Sequence, residues 1–416
     1  MLVPKLRFKR EDGTDYPEWE DWVLDSIGSF YGGLSGKTKE DFGKGNSKFV
    51  TYMNVYKNIF AMQEMLESVD ISDNEKQNKV KYGDLLMTQS SETFEELGMS
   101  SVYLFYDEPY LNSFCFGLHL YNHALTYPMY IGYLMRSEAI RKQIMREGQG
   151  ISRINLSPNR MKGMILSLPC LEEQQKIADF LSNVDEVIAQ SEAEVANLQQ
   201  QKKAAMQKIF SQEVRFKRED GTSYPEWTKQ KLSAVSSRVT RKNKGNITDI
   251  PLTIASLYGL VDQREYFKKK IASQNMEGYY LLHNGEFAYN KSHSKGFDFG
   301  AIKRLDRYDC GALSTLYICF AVNNKVDSDF MTHYFDSQKW NKEVSIRCAE
   351  GARNHGLLNI STNDFFDIDM VLPTDLEEQQ KIADFLATYD EAISCAKQEL
   401  DKWKELKKGL LQQMFA

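Results

Sequence analysis

The stretch LEEQQKIADFL stands at 171–181 and again, letter for letter, at 376–386, 205 positions further on. An identity of that length inside one chain points to duplication, and a chain so built folds as two copies of one plan. RFKREDGTDYPEW at 7–19 returns as RFKREDGTSYPEW at 215–227, NLSPN at 155–159 answers NISTN at 359–363, Gly83-Asp84 answers Gly285-Glu286, and Pro169 answers Pro373. All the offsets fall between 202 and 208. Each half therefore reads as short motif, long divergent region, long helix.

The segments opened by the repeated eleven residues carry a second pattern. Ile177, Leu181, Val184, Ile188, Ser191, Val195, Leu198, Lys202, Ala205 and Ile209 alternate steps of four and three. Adding 205 gives Ile382, Leu386, Tyr389, Ile393, Ala396, Leu400, Trp403, Lys407, Leu410 and Met414, with lysine at the same step. This 3.5-residue period is that of a coiled-coil seam and favours a helix pair over helices packed only on their own domains. Each helix runs for roughly 40 residues, about 60 Å at 1.5 Å per residue. A duplicated unit that ends in a helix and closes on its copy is most simply arranged about a pseudo-twofold axis, which sets the helices antiparallel. LLQQMFA at 410–416 resembles AMQKIFSQEVRFKRED at 205–220, so residues 1–19 are expected to meet the end of the second helix.

The divergent regions, 20–168 and 228–372, mix strand-like runs (49–55, 313–322, 366–372) with helical patterns (130–146, 330–344), as expected of α/β domains. The RFKREDGT…YPEW units, with Asp-Gly turns and Pro17 or Pro225, predict hairpins or extended connectors. The expected fold is mixed α/β, with two similar globular domains joined by two long antiparallel helices. Its boundaries are 1–168 for the first connector and domain, 169–212 for the first helix, 213–372 for the second connector and domain, and 373–416 for the second helix.

Composition narrows the class. With 42% apolar and 12% aromatic residues the chain is globular rather than disordered. It starts with the charged MLVPKLRFKRED, and its longest apolar run, 313–322, is too short for a bilayer. Six cysteines form no CxxC pair, so neither zinc nor disulfides are expected, and a reducing cytoplasm fits. Of the net charge of −6, segments 172–212 and 376–416 hold −3 and −2; the remainder is near neutral and compatible with a basic groove.

Catalytic motifs are weak. GGLSGKT at 32–38 ends like a phosphate loop, but three residues, not four, separate Gly32 from Gly36. DEPY at 107–110 has Glu108 where an amino-methyltransferase pocket needs proline, and a strand-end turn accounts for it better. His119 and His123 have helical spacing without the intervening Glu of a zinc helix. No GxSxG, GxGxxG or HExxH occurs. The chain reads as a binding protein, not an enzyme.

The repeated LEEQQKIADFL helix starts, the two RFKREDGT…YPEW connectors and the duplicated divergent domains resemble, over the whole chain, the specificity subunits of Type I restriction-modification systems. That resemblance implies two target recognition domains, each reading half of a split double-stranded DNA site. The long helices would serve as spacer and docking surface for two methyltransferase subunits, through which restriction subunits join. S-adenosylmethionine, ATP and Mg²⁺ would then belong to the partners. Polar side chains at corresponding positions beside strand ends are the DNA-binding candidates. In the first domain these are Lys48, Thr51, Tyr52, Asn54, Thr88, Gln89, Ser90, Arg153 and Asn155. In the second they are Thr253, Ser256, Tyr258, Asn290, Lys291, Ser292, His293, Lys295, Arg353, Asn354 and His355. Ser157 and Ser361 are also placed to cap helices. The competing readings are a scaffold that joins two proteins without touching DNA, and an enzyme built on the loop at 32–38.

Overall fold

The computed structural model describes residues 4–72, 74–121, 125–255, 259–267, 275–294, 296–348 and 358–415. The chain divides into two units, one of Met1–Glu192 with Gln398–Ala416 and one of Ala193–Lys397. Helix α1 (Leu171–Phe210) and helix α2 (Leu376–Met414) each give one part to either unit.

In unit 1 a four-stranded antiparallel sheet runs in the order Gly28–Gly32, Cys115–Leu120, Leu85–Thr88, Ser100–Val102. Beside it, Phe42–Val50 pairs antiparallel with Leu66–Val69 and parallel with Tyr110–Leu111. Unit 2 repeats this plan. Ser236–Arg238, Ile318–Val322, Phe287–Asn290 and Ala301–Arg304 form its antiparallel sheet, and Pro251–Ala255 lies parallel to Cys310–Leu313 in the second sheet. Two strands are added to that pair, Gly259–Asp262 and Tyr280–His283.

Each unit buries its sheet against two sources of helix. The core of unit 1 joins Leu85, Phe116 and Leu118 of the sheet to Ile177 and Leu181 of α1 and to Met414 and Phe415 at the end of α2. In unit 2 the sheet residues Phe287 and Phe320 meet Ile209 and Phe210 at the end of α1 and Ile382 and Leu386 at the start of α2. The helices run antiparallel within each unit. In unit 1 Lys407 pairs with Asp185, and Lys404 with Glu192 at 2.7 Å, so the position on α2 falls as that on α1 rises. In unit 2 Lys202 reaches Asp390 at 2.5 and 2.6 Å. Every position of the heptad register, on both helices, is buried or half-buried. The helix starts nevertheless pack on their own globular parts as well as on the other helix.

The repeated letters meet in space. Arg7 donates from Nε and Nη2 to Glu173 at 3.1 and 2.8 Å, and Trp19 Nε1 donates to the same carboxylate at 3.3 Å. Arg215 and Trp227 hold Glu378 in the same way, with Nε distances of 3.3 and 3.1 Å. Both glutamates are fully buried, where a carboxylate without a cation is costly. The next residue is used as well. Gln174 donates to the Pro169 carbonyl and accepts from the Tyr127 N–H, and Gln379 does so with Pro373 and Asp327. Phe8 packs on Phe180 at 5.4 Å and Phe216 on Phe385 at 5.5 Å. The connectors turn as hairpins, with Arg10 N–H bonded to the Thr14 carbonyl and Gly13 at φ 84°, and they repeat as Arg218 to Thr222 with Gly221 at φ 84°. Leu6 N–H reaches the Gln413 carbonyl at 3.1 Å as Val214 N–H reaches that of Lys208 at 3.2 Å, so the chain start meets the end of α2 as α1 meets its own connector.

Several short elements differ from the sequence reading. The run 49–55 is strand only to Val50; Thr51 then accepts the Asn54 N–H and starts the helix Tyr52–Lys57. The pattern at 130–146 breaks at Ser137, which caps the second of two helices through the Ile140 N–H. That at 330–344 breaks where Gln338 takes φ 59°. The run 313–322 is the end of one strand and the whole of another, separated by a turn, and 366–372 is strand only from Asp369. In each, a cap or turn that hydrophobic pattern does not encode divides the run.

Candidate nucleic-acid interface

In unit 1, polar residues gather where the strand Leu85–Thr88 ends. The Gln89 N–H donates to the Phe114 carbonyl and the Gln89 carbonyl accepts from the Leu156 N–H, both at 2.8 Å. Ser90 pairs with Asn155, and Tyr52 OH donates to the Ser90 carbonyl at 2.8 Å. The fold thus brings Tyr52, Thr88, Gln89, Ser90 and Asn155 together, with Arg153 on the hairpin 149–155 beside them. Gln89, Arg153 and Asn155 are exposed, and Tyr52 and Ser90 are half-buried. Thr88 and Asn54 are fully buried, and Asn54 exchanges hydrogen bonds with the backbone of Met62 at 2.8 and 2.9 Å, which shapes the loop from inside. Thr51 is the helix cap described above. Lys48, exposed on the smaller sheet, bonds Ser68 Oγ at 3.0 Å and shares no hydrogen bond with the cluster.

Arg136 holds the end of the short helix that starts at Tyr52. It donates to the carbonyls of Val55, Tyr56 and Asn58 at 2.9, 3.0 and 3.1 Å, and to that of Ser100 at 2.7 Å. Burial pushes its pKa down to about 10, which leaves it a cation at neutral pH. A cation against the last carbonyls of the helix Tyr52–Lys57 opposes the negative end of its dipole. Phe114 and Ile151, which a polar pattern does not mark, stand exposed on the same segments.

Unit 2 repeats the strand-end latch. The Lys291 carbonyl accepts from the Leu358 N–H at 2.9 Å, the counterpart of Gln89 and Leu156 at an offset of 202. Asn290 Oδ1 accepts from the Ser292 N–H at 3.0 Å, fixing the turn, and Lys291 and Ser292 are half-buried. His293 is exposed, with Nε2 3.1 Å from Asp298. Thr253 is buried, 3.4 Å from Tyr317 OH. Ser256, Tyr258, Lys295, Arg353, Asn354 and His355 lie outside the described residues. Near this turn a cleft of about 650 Å³ is lined by Lys202, Lys203, Lys303 and Lys339, with Asp336 paired to Lys303 at 2.6 Å.

The loop at 32–38 is tied down. Lys37 is only 6% exposed and bonds Glu75 at 2.6 Å. That lysine, with the Ser72 N–H and Gln77, pushes the Glu75 pKa down to about 2. Glu108 takes φ 45° in the turn at 107–110. His119 Nδ1 lies 2.8 Å from Asp84, and its ring stacks on Tyr31; His123 lies outside the described residues. Among the described residues no group of His, Cys, Asp and Glu is placed to hold a metal, and no helix is long and apolar enough to cross a membrane. The six cysteines are free.

Residues 17–200 match the family model of the Type I restriction modification DNA specificity domain. Over the whole chain the fold is similar to the S subunit of a Type I restriction-modification system from M. genitalium. That likeness has 14% identity and a TM-score of 0.55, covering 100% of this chain and 99% of that one. It is also similar to a chain from a structure of complex assembly and conformational transition in the type I R-M system, at 15% identity and a TM-score of 0.55, covering 96% and 98%. The stretch 17–200 is thus similar to a DNA specificity domain of the restriction-modification class, and the fold of the whole chain to that of S subunits. The second half, outside the matched stretch, repeats its joint, its sheets and its strand-end latch.

Proposed function

We propose that the chain is the non-catalytic DNA-reading subunit of a Type I restriction-modification complex, with each unit reading one half of a bipartite double-stranded site. Two methyltransferase subunits dock on the long helices and restriction subunits join through them. S-adenosylmethionine, ATP and Mg²⁺ belong to those partners, and the complex works in the cytoplasm. The DNA-binding residues are the exposed and half-buried members of the two strand-end clusters, with Gln89, Arg153 and Asn155 in one and Asn290, Lys291, Ser292 and His293 in the other.

One observation carries this reading. The joints of the two units use the same residues, while the latched strand ends present different ones, Gln89-Ser90 against Lys291-Ser292. A common frame with unlike readers is what a split, asymmetric site requires, because base edges are told apart by donor and acceptor pattern. Sequencing modified adenines in the native genome tests it. A motif of two unlike half-sequences separated by a fixed gap is expected, and a contiguous motif would overturn the reading. A gel shift of the chain co-purified with its methyltransferase partner tests DNA binding directly, and no shift would leave a protein scaffold.

A further inference from the structure

Inside its polar cluster unit 1 carries an apolar point. Ile151 is fully exposed, and Phe114 and Phe94, 64% and 43% exposed, stand on the segments that flank it. Single exposed apolar side chains are ordinary on protein surfaces. These three border one hairpin: the Phe94 ring lies 3.1 Å from where a Cβ on Gly148 would stand, and the Phe114 carbonyl holds the Gln89 N–H. The hairpin is braced. Gln149 and Asn155 exchange backbone hydrogen bonds of 3.0 and 2.8 Å. Gly150 holds φ 131°, where a Cβ would come within 2.0 Å of the Arg153 carbonyl oxygen. Ile151 is thus presented by a preformed loop, and little ordering entropy is lost when it meets a partner.

Its neighbours state the partner's chemistry. Arg153, two residues on, is exposed and makes no ion pair among the described residues, and the amides of Gln89 and Asn155 are exposed beside it. A free cation suits a phosphate and amides suit base edges. The apolar group that the major groove displays among them is the thymine C5-methyl. We propose that Ile151 packs on the C5-methyl of one thymine in the half-site read by unit 1, and so is a specificity-determining residue. This rests on the DNA-reading function proposed above.

The test uses the complex with its methyltransferase partner and a duplex carrying the sequenced motif, in which each thymine of both halves is replaced in turn by uracil, removing one methyl. At one position of one half, the wild-type complex loses about fourfold in affinity, the worth of one buried methyl. Ile151→Ala already carries that loss and shows no further penalty from the same uracil. Equal penalties for both proteins at every thymine would overturn the proposal, as would an Ile151→Ala complex with unchanged affinity. Failure of Ile151→Ala to co-purify with the methyltransferase would assign the side chain to a protein contact and overturn it too. If the wild-type complex does not bind the duplex at all, it is the DNA-reading function itself that fails. Because Ile151 buries nothing in its own chain, an unchanged melting temperature checks that the variant is folded.

Discussion

At the scale of single residues, the identical letters serve a buried charge. Glu173 and Glu378 have no access to water, and Arg7 and Arg215 are the cations that make their burial tolerable. Arg7→Ala or Arg215→Ala is expected to cost about 3 kcal/mol, the usual penalty for leaving one partner of a buried pair uncompensated. Glu173→Gln should cost less, because it keeps an acceptor for Trp19; urea denaturation of the three variants checks the order. A second residue distinguishes the units. Where Tyr133 donates to Asp185 at 2.8 Å in unit 1, unit 2 has His333, buried and 3.8 Å from Asp390. Burial, then the charge of Lys202, lower the His333 pKa, while Asp390, Asp336 and Asp329 oppose the shift. The folded value lies below the unfolded one near 6.5, so the unfolded chain takes up the proton first. Stability of unit 2 is full above about pH 6.5 and falls as the pH drops below it. His333→Tyr should flatten that dependence in a denaturation series between about pH 5 and 7.

At the scale of elements, a regular period and a cap behave differently as signals. The 3.5-residue rhythm of α1 and α2 marks positions that are all shielded from water, because burial recurs once per heptad step along a continuous helix. The short elements of the divergent regions carry no such period, and caps decide their bounds. Ser361 Oγ accepts the Asp364 N–H at 3.1 Å, whereas Ser157, at the corresponding place in unit 1, makes no such bond. Ser361→Ala should therefore cost about 1 kcal/mol and Ser157→Ala a small fraction of that. Thermal unfolding of the two variants separates them. The sequence alone treats both serines as caps, since both stand in an Asn-x-Ser-x-Asn motif, but Ser157 takes φ −113° ahead of Pro158 and Ser361 φ −71° ahead of Thr362.

At the scale of the molecule, both long helices contribute residues to both units, and on the proposed function their length sets the gap in the DNA site. Inserting one heptad at matching seam positions of both helices keeps the register and adds about 10 Å, some three base pairs at about 3.4 Å each. On the proposed function, sequencing of modified adenines should then return both half-sequences unchanged with a gap widened by about three base pairs. Unaltered spacing would break the link between helix length and the site.

The sequence by itself determined the duplication, the two long helices with their seam, and the residue types that lock each connector to a helix start. These rest on identity and period, which are written along the chain. It also pointed to the strand-end residues around Gln89 and Lys291. Tertiary structure alone decided which of the polar candidates share a surface. Gln89 meets Leu156, Tyr52 meets Ser90 and Arg136 meets the helix at 52–57 through pairings between distant segments, and those pairings turn Thr88 and Asn54 inward. Ile151 had no mark in the sequence, because the exposure of an isoleucine depends on the strands that brace its hairpin rather than on its neighbours in the chain.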